Sequence, residues 1–127
     1  MKRDMDLVRD LLLAIESDPN FDGMRHIMPD DPSDFGITNR SFEEVTYHLV
    51  MLIETGLVVG KPTMQMPIIS KLSWQGHDFL DTVRDPEIWR ETKEGAKKAG
   101  GFSLELLGAL AKGLIKKKIE EHTGVHL

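Results

Sequence analysis

The residues of this 127-residue chain that could do chemistry are five histidines, a cluster of aspartates and one glycine pair. His122 and His126 stand four apart, the spacing that sets two imidazoles on one helical face for a metal ion. Thr123 and Gly124 lie between them, where a helix frays, so no metal site is expected. His77 and Asp78 pair a base with a carboxylate, but neighbouring helical residues point apart. Asp30, Asp31 and Asp34 lack the glycine and distal glutamate of a calcium loop. Gly100-Gly101 neither follows a strand nor opens a phosphate cradle. No Ser, His and acid arrangement has a nucleophile signature, and the chain has no cysteine. These residues predict no enzyme, no cofactor, no metal and no small-molecule substrate.

What remains are residues suited to contact rather than reaction: Arg40, Tyr47, His48, Lys61 and Lys71. Residues 41–72 must position them. Ser41 followed by Glu44 is a capping box, and Glu43 and Glu44 lie where the helix dipole favours negative charge. Phe42, Val45, Leu49, Leu52 and Ile53 recur at helical spacing, and Gly56 suits a left-handed C-terminal cap. Leu57-Val58-Val59 reads as a strand, residues 60–63 as a turn, and Ile68 to Leu72 as a return strand. A helix followed by a two-stranded ribbon is the second half of a winged helix-turn-helix. In that layout Tyr47 and His48 lie beside each other on the helix, away from its apolar stripe. With Arg40 they face a DNA groove, and Lys61 and Lys71 reach phosphate from the wing. The alternative is an ordinary α+β unit with no groove to fill.

The elements around this stretch complete one α+β fold. Asp4 can cap a helix to about Glu16, with Met5, Val8, Leu12 and Ile15 as its stripe and Leu7, Leu11 and Ala14 widening it. Residues 17–20 stop it, because proline disfavours helix in the residue before it. Residues 24–28 read as a short strand able to join the ribbon as a third member. At most one helical turn fits between Ser33 and Gly36. Ser73 can cap a helix from Trp74 to Arg84, with Trp74, Phe79, Leu80 and Val83 as its apolar contacts. Asp85-Pro86-Glu87 starts another helix, and Ser103 a last one to about Glu121. The organisation expected is a winged-helix-like core over 1–85 and a C-terminal helical extension over 86–127.

In the last helix, leucines, isoleucines and Ala111 cover roughly half the circumference, more than the ~100° a surface helix needs. That face calls for a cover, from the core or from a second copy, and Leu106, Leu107, Leu110 and Leu114 are the expected interface of a homodimer. Gly108 and Gly113 cost about 1 kcal/mol each inside a helix, for which close packing is the expected reason. Lys116 to Lys118 compensate the dipole at the helix end.

Hydrophobic content of 40% and charged content of 29% are globular values. The missing cysteines fit a reducing compartment, and no apolar run reaches the length of a membrane span, so a cytoplasmic place is expected. Residues 1–89 hold 8 Lys and Arg against 16 Asp and Glu, and residues 90–127 hold 8 against 5. A nucleic-acid binder normally shows a basic face, and here the groove helix has acids and no Lys or Arg after Arg40.

The segments KRDMDLVRDLLLAIE, EEVTYHLVMLIETGLV, LSWQGHDFLDTVRDPEIW and KKAGGFSLELLGALAKGLIKKKI resemble a family of short bacterial and phage proteins of unknown function. The resemblance spans most of the chain and departs at residues 19–40. It implies a winged-helix-like fold and a home in phages and mobile elements, and it brings no catalytic residues. Two functions are therefore expected. The first is a small DNA-binding transcriptional regulator of phage or mobile-element type. The alternative is a protein–protein interaction module on the same scaffold, with DNA binding lost.

Overall fold

A computed structural model describes residues 1–127. It is an α+β protein of five α-helices and one two-stranded antiparallel sheet. The chain groups into two compact units, Met1–Asp78 and Phe79–Leu127, which divide within the third helix. No helix is long and apolar enough to cross a membrane.

In the first unit, α1 (Met5–Ser17) starts because the Asp4 carboxylate accepts from the Asp6 and Leu7 N–H groups. This satisfies donors that the first helical turn leaves without partners. Leu7, Leu11, Leu12 and Ile15 are almost completely buried, as the helical spacing predicts. Helix α2 (Phe42–Glu54) carries the expected capping box: Ser41 Oγ accepts from the Glu44 N–H while the Glu44 carboxylate accepts from the Ser41 N–H. It ends in a Schellman motif. Leu57 N–H reaches Leu52 O, Gly56 N–H reaches Ile53 O, and Gly56 takes φ of 80°. The same motif sends the chain directly into the ribbon.

The ribbon pairs β1 (Val58–Lys61) with β2 (Ile68–Leu72), Val58 opposite Leu72 and Lys61 opposite Ile68. A bulge falls between Val59 and Gly60. A Cβ at Gly60 would lie 2.3 Å from the Ile68 carbonyl oxygen, so only glycine lets the strands approach there. Val58, Ile69 and Leu72 face the core, and α1 and α2 both pack on the ribbon. The connection places Met66 inside and Met64 fully in solvent.

The segment without a sequence pattern, 19–40, is held by aspartates. Asp22 accepts from the Met24 and Arg25 N–H groups, which keep its carboxyl below the usual carboxylate range. Ile27 exchanges both backbone hydrogen bonds with Ile69 at 2.9 and 2.7 Å. The expected third strand is thus a single bridging residue, cut short by the Asp22 turn before it and Pro29 after it. Asp31 and Asp34 form a capping box on one 3₁₀ turn, Pro32–Phe35, closed by left-handed Gly36. Phe35 stacks on Phe21 with ring centroids 6.0 Å apart. The acidic cluster therefore caps backbone donors.

Helix α3 (Trp74–Val83) begins where Ser73 Oγ accepts from the Gly76 N–H. Trp74 corrects the expectation: its side chain is 79% exposed and contributes little to any core. Phe79, Leu80 and Val83 are buried as expected.

In the second unit, α4 (Pro86–Ala99) starts on Asp85, which accepts from the Glu87 and Ile88 N–H groups. Gly100, at φ 93°, ends it, and Ser103 caps α5 (Leu104–Thr123). The two helices pack together across this short turn, and Lys118 Nζ returns to within 3.6 Å of the Asp85 carboxylate. Leu107 and Ala111 are the buried residues of α5; Leu106, Leu110 and Leu114 are half-buried. The expected tight packing at Gly108 and Gly113 is absent: no atom lies within 4 Å of where either Cβ would stand.

Candidate functional site

Helix α2 carries two of the five expected contact residues, Tyr47 and His48, and Arg40 stands just before its Ser41 cap; His48 and Arg40 are both engaged inside the fold. His48 is 1% exposed. Its Nε2 accepts from the Asp4 backbone N–H at 2.8 Å, and its Nδ1 lies 2.7 Å from the Glu44 carbonyl oxygen. With Nε2 an acceptor, Nδ1 carries the proton and donates to Glu44. Every polar atom of the ring is used within the fold. This corrects the expectation that His48 lies away from the apolar stripe. Val45, His48, Leu49 and Leu52 are spaced i, i+3, i+4, i+7, so the histidine occupies a stripe position.

Arg40 is also engaged. Its Nη2 lies 2.7 Å from Asp4 Oδ2, its Nη1 donates to the Asn39 carbonyl, and its Nε stands 3.9 Å from Glu44 Oε2. That Nε is buried without a hydrogen bond. The guanidinium thus joins the N-terminal cap of α1 to the N-terminal turn of α2. Tyr47 is the member of the set on α2 that stays at the surface, 40% exposed and edge-on to the His48 ring.

Lys61 and Lys71 are both exposed on the ribbon. The stem of Lys71 runs over Gly23, where a Cβ would meet its Cδ at 2.9 Å. Val59, opposite Lys71 in the register, is 42% exposed. Beside it lies an open cleft of about 340 Å³, lined by His26, Val59, Gly60, Lys61, Ile68 and Ser70. Sequence reasoning missed this cleft because His26 reaches it only through the Ile27–Ile69 bridge. The four leucines of the expected interface divide as well: Leu107 is fully buried, and Leu110 lies against Gly95 of α4.

The expected contact residues therefore sit on helix α2, just before its cap and on the ribbon. The chain belongs to the family described as "Hypothetical protein (DUF2513)", which it matches over residues 2–103. It is similar to an "Uncharacterized protein" of Haemophilus influenzae, 32% identical over 124 residues, covering 94% of this chain and 99% of that protein. No solved structure matches it.

Proposed function

We propose that this chain is a non-enzymatic protein-interaction module on a winged-helix-like scaffold, working in the cytoplasm. The observation that carries the reading is the state of α2, the helix such a scaffold would place in a DNA groove. The two strongest readout groups at this helix, His48 on it and Arg40 just before its cap, are bonded to Asp4 and Glu44 inside the fold. Its first turn presents Glu43 and Glu44 to any approaching phosphate. Phosphate contacts from Lys and Arg supply a large share of the affinity of a DNA binder, and α2 carries neither residue.

The test is capture of proteins from a native lysate by the full-length chain, with and without nuclease, beside a duplex-DNA titration at low and raised salt. The reading expects capture to survive nuclease and DNA binding to be absent at low salt. Capture that disappears with nuclease would sink it.

A second reading is a DNA-binding regulator of phage or mobile-element type that uses its ribbon. The exposure of Tyr47, Lys61 and Lys71 favours it. It requires duplex binding that weakens as salt rises, through counterion release. A homodimer through α5 fits either reading, because Leu106, Leu110 and Leu114 are only partly covered. Sedimentation of the native chain against concentration tests it.

A further inference from the structure

We infer that the cleft on the β1–β2 ribbon receives an acidic peptide segment of a protein partner, one that places an apolar side chain between Val59 and Ile68. This deepens the interaction-module reading and rests on it. Charge favours this occupant. The unit Met1–Asp78 holds seven Lys and Arg against thirteen Asp and Glu, a net −6. Yet from Thr55 to His77 there is no Asp or Glu, and two of the unit's three lysines, Lys61 and Lys71, stand there. The ribbon segment is thus basic on an acidic unit, and the acid that the fold brings beside it, Asp22, next to Gly23 under the Lys71 stem, is already engaged by the Met24 and Arg25 N–H groups and by the Arg25 guanidinium. Such an arrangement steers an acidic partner to one face and disfavours other approaches.

The apolar content of the same ribbon favours it as well. Val59 is 42% exposed and Met64 wholly exposed, and the wall of the cleft is Val59, Gly60 and Ile68. Its volume of about 340 Å³ is at the lower end of ligand-sized sites, enough for a large side chain with its flanking backbone. A phosphate backbone gains nothing from Val59, Ile68 and Met64, whereas a peptide alternating carboxylates with apolar side chains uses both features.

The experiment uses the full-length, ¹⁵N-labelled chain. Three probes are titrated at low salt: a capped peptide alternating glutamate with leucine and phenylalanine, its lysine-for-glutamate counterpart, and a short DNA duplex. The acidic peptide is expected to shift the amide signals of Val59, Gly60, Lys61, Ile68 and Ser70. The lysine peptide is expected to leave them in place. Lys61→Glu with Lys71→Glu, both at exposed positions, should weaken the acidic peptide by on the order of tenfold. Val59→Asn, also at the surface and uncharged, should weaken it through the apolar contact alone. Shifts at these amides with the duplex and not with the peptide would overturn the inference in favour of a phosphate-binding face. So would peptide shifts confined to other residues, or none at all. The capture assay separates the two levels. If the charge-reversed chain retains the same nuclease-resistant proteins as the native one, the module reading stands and this surface falls. If the native chain retains none, both fall.

Discussion

The backbone N–H of Asp4 donates to Nε2 of His48 across 44 residues of sequence, at 2.8 Å. The same aspartate uses its carboxylate for two other tasks, capping α1 and pairing with Arg40. The start of α1 and the first two turns of α2 are thus bolted together through one residue. The bolt consumes side chains that sequence patterning assigns to a ligand.

Replacing His48 with alanine should destabilise the chain by about 2–4 kcal/mol, from a cavity among Val45, Leu49 and Leu52 and a stranded Asp4 N–H. Urea denaturation of His48→Ala against the native chain measures it. A loss below about 0.5 kcal/mol, the range of ordinary surface substitutions, would mean that His48 does not hold the two helices together.

The Asp4–Arg40 pair is partly exposed, with side-chain exposures of 33% and 24%, so its contribution is discounted for solvent. A double-mutant cycle with Asp4→Asn and Arg40→Gln should give a coupling of about 0.5–1 kcal/mol. Asparagine is chosen because it keeps the cap on α1 while removing the charge. Raised salt should shrink the coupling; a value that is zero at low salt would show the pair to be incidental.

What could be read from the sequence was local. Ser41 and Glu44 are three apart, Asp85 and Pro86 adjacent, and Leu52 to Leu57 span one motif, so caps and helix ends are written in short windows. The apolar stripe of α1 was legible for the same reason, and so was the existence of the ribbon, but Gly60 and Lys61, expected in the turn, instead extend β1 opposite Ile69 and Ile68. Three further features were not legible. His48 lies on the stripe, but its inward turn depends on a backbone donor far away in sequence. Trp74 looks like a core residue by type, yet it sits at the first position of α3, where the chain has not yet turned inward. Residues 19–40 follow no periodicity because aspartate side chains and one Ile27–Ile69 bridge organise them, not a repeating face.

Two glycines are places where backbone meets backbone. At Gly76 an added Cβ would lie 2.1 Å from the Leu57 carbonyl oxygen, and at Gly60 2.3 Å from that of Ile68. Alanine ordinarily favours a helix over glycine by about 1 kcal/mol, so the sign at Gly76 is diagnostic. Gly76→Ala and Gly60→Ala should each cost about 1–3 kcal/mol, as overpacking does. Gln75→Ala, at an exposed neighbouring position, is the control and should be close to neutral. A Gly76→Ala chain as stable as the control would show that α3 does not start against Leu57.

Acid should loosen the start of α4. The Ile88 N–H above all, with the Glu87 N–H and Lys118, holds the Asp85 carboxyl below the usual carboxylate range. A carboxylate with a depressed folded-state pKa stabilises the fold above its unfolded pKa. That contribution is lost as pH falls through the folded value. The thermal stability of the native chain should therefore exceed that of Asp85→Ala at neutral pH, and the gap should close as the pH drops below the carboxylate range. A gap that is constant from neutral to strongly acidic pH would remove the charge from the explanation, leaving only the shape of the cap.

Gly108 and Gly113 separate the isolated chain from an assembly. Both lie inside α5 with open space where a Cβ would be. In a chain that works alone, Gly108→Ala and Gly113→Ala should each raise stability by about 0.5–1 kcal/mol, through helix propensity and a less flexible unfolded state. In an assembly that brings a second copy close to these positions, the added methyl groups would meet the partner. The monomer would still be stabilised, but sedimentation at high protein concentration would show weaker self-association. Thermal unfolding at low concentration combined with sedimentation across a concentration series therefore reads the two effects apart. A fall in stability at low concentration would contradict the open environment of both glycines.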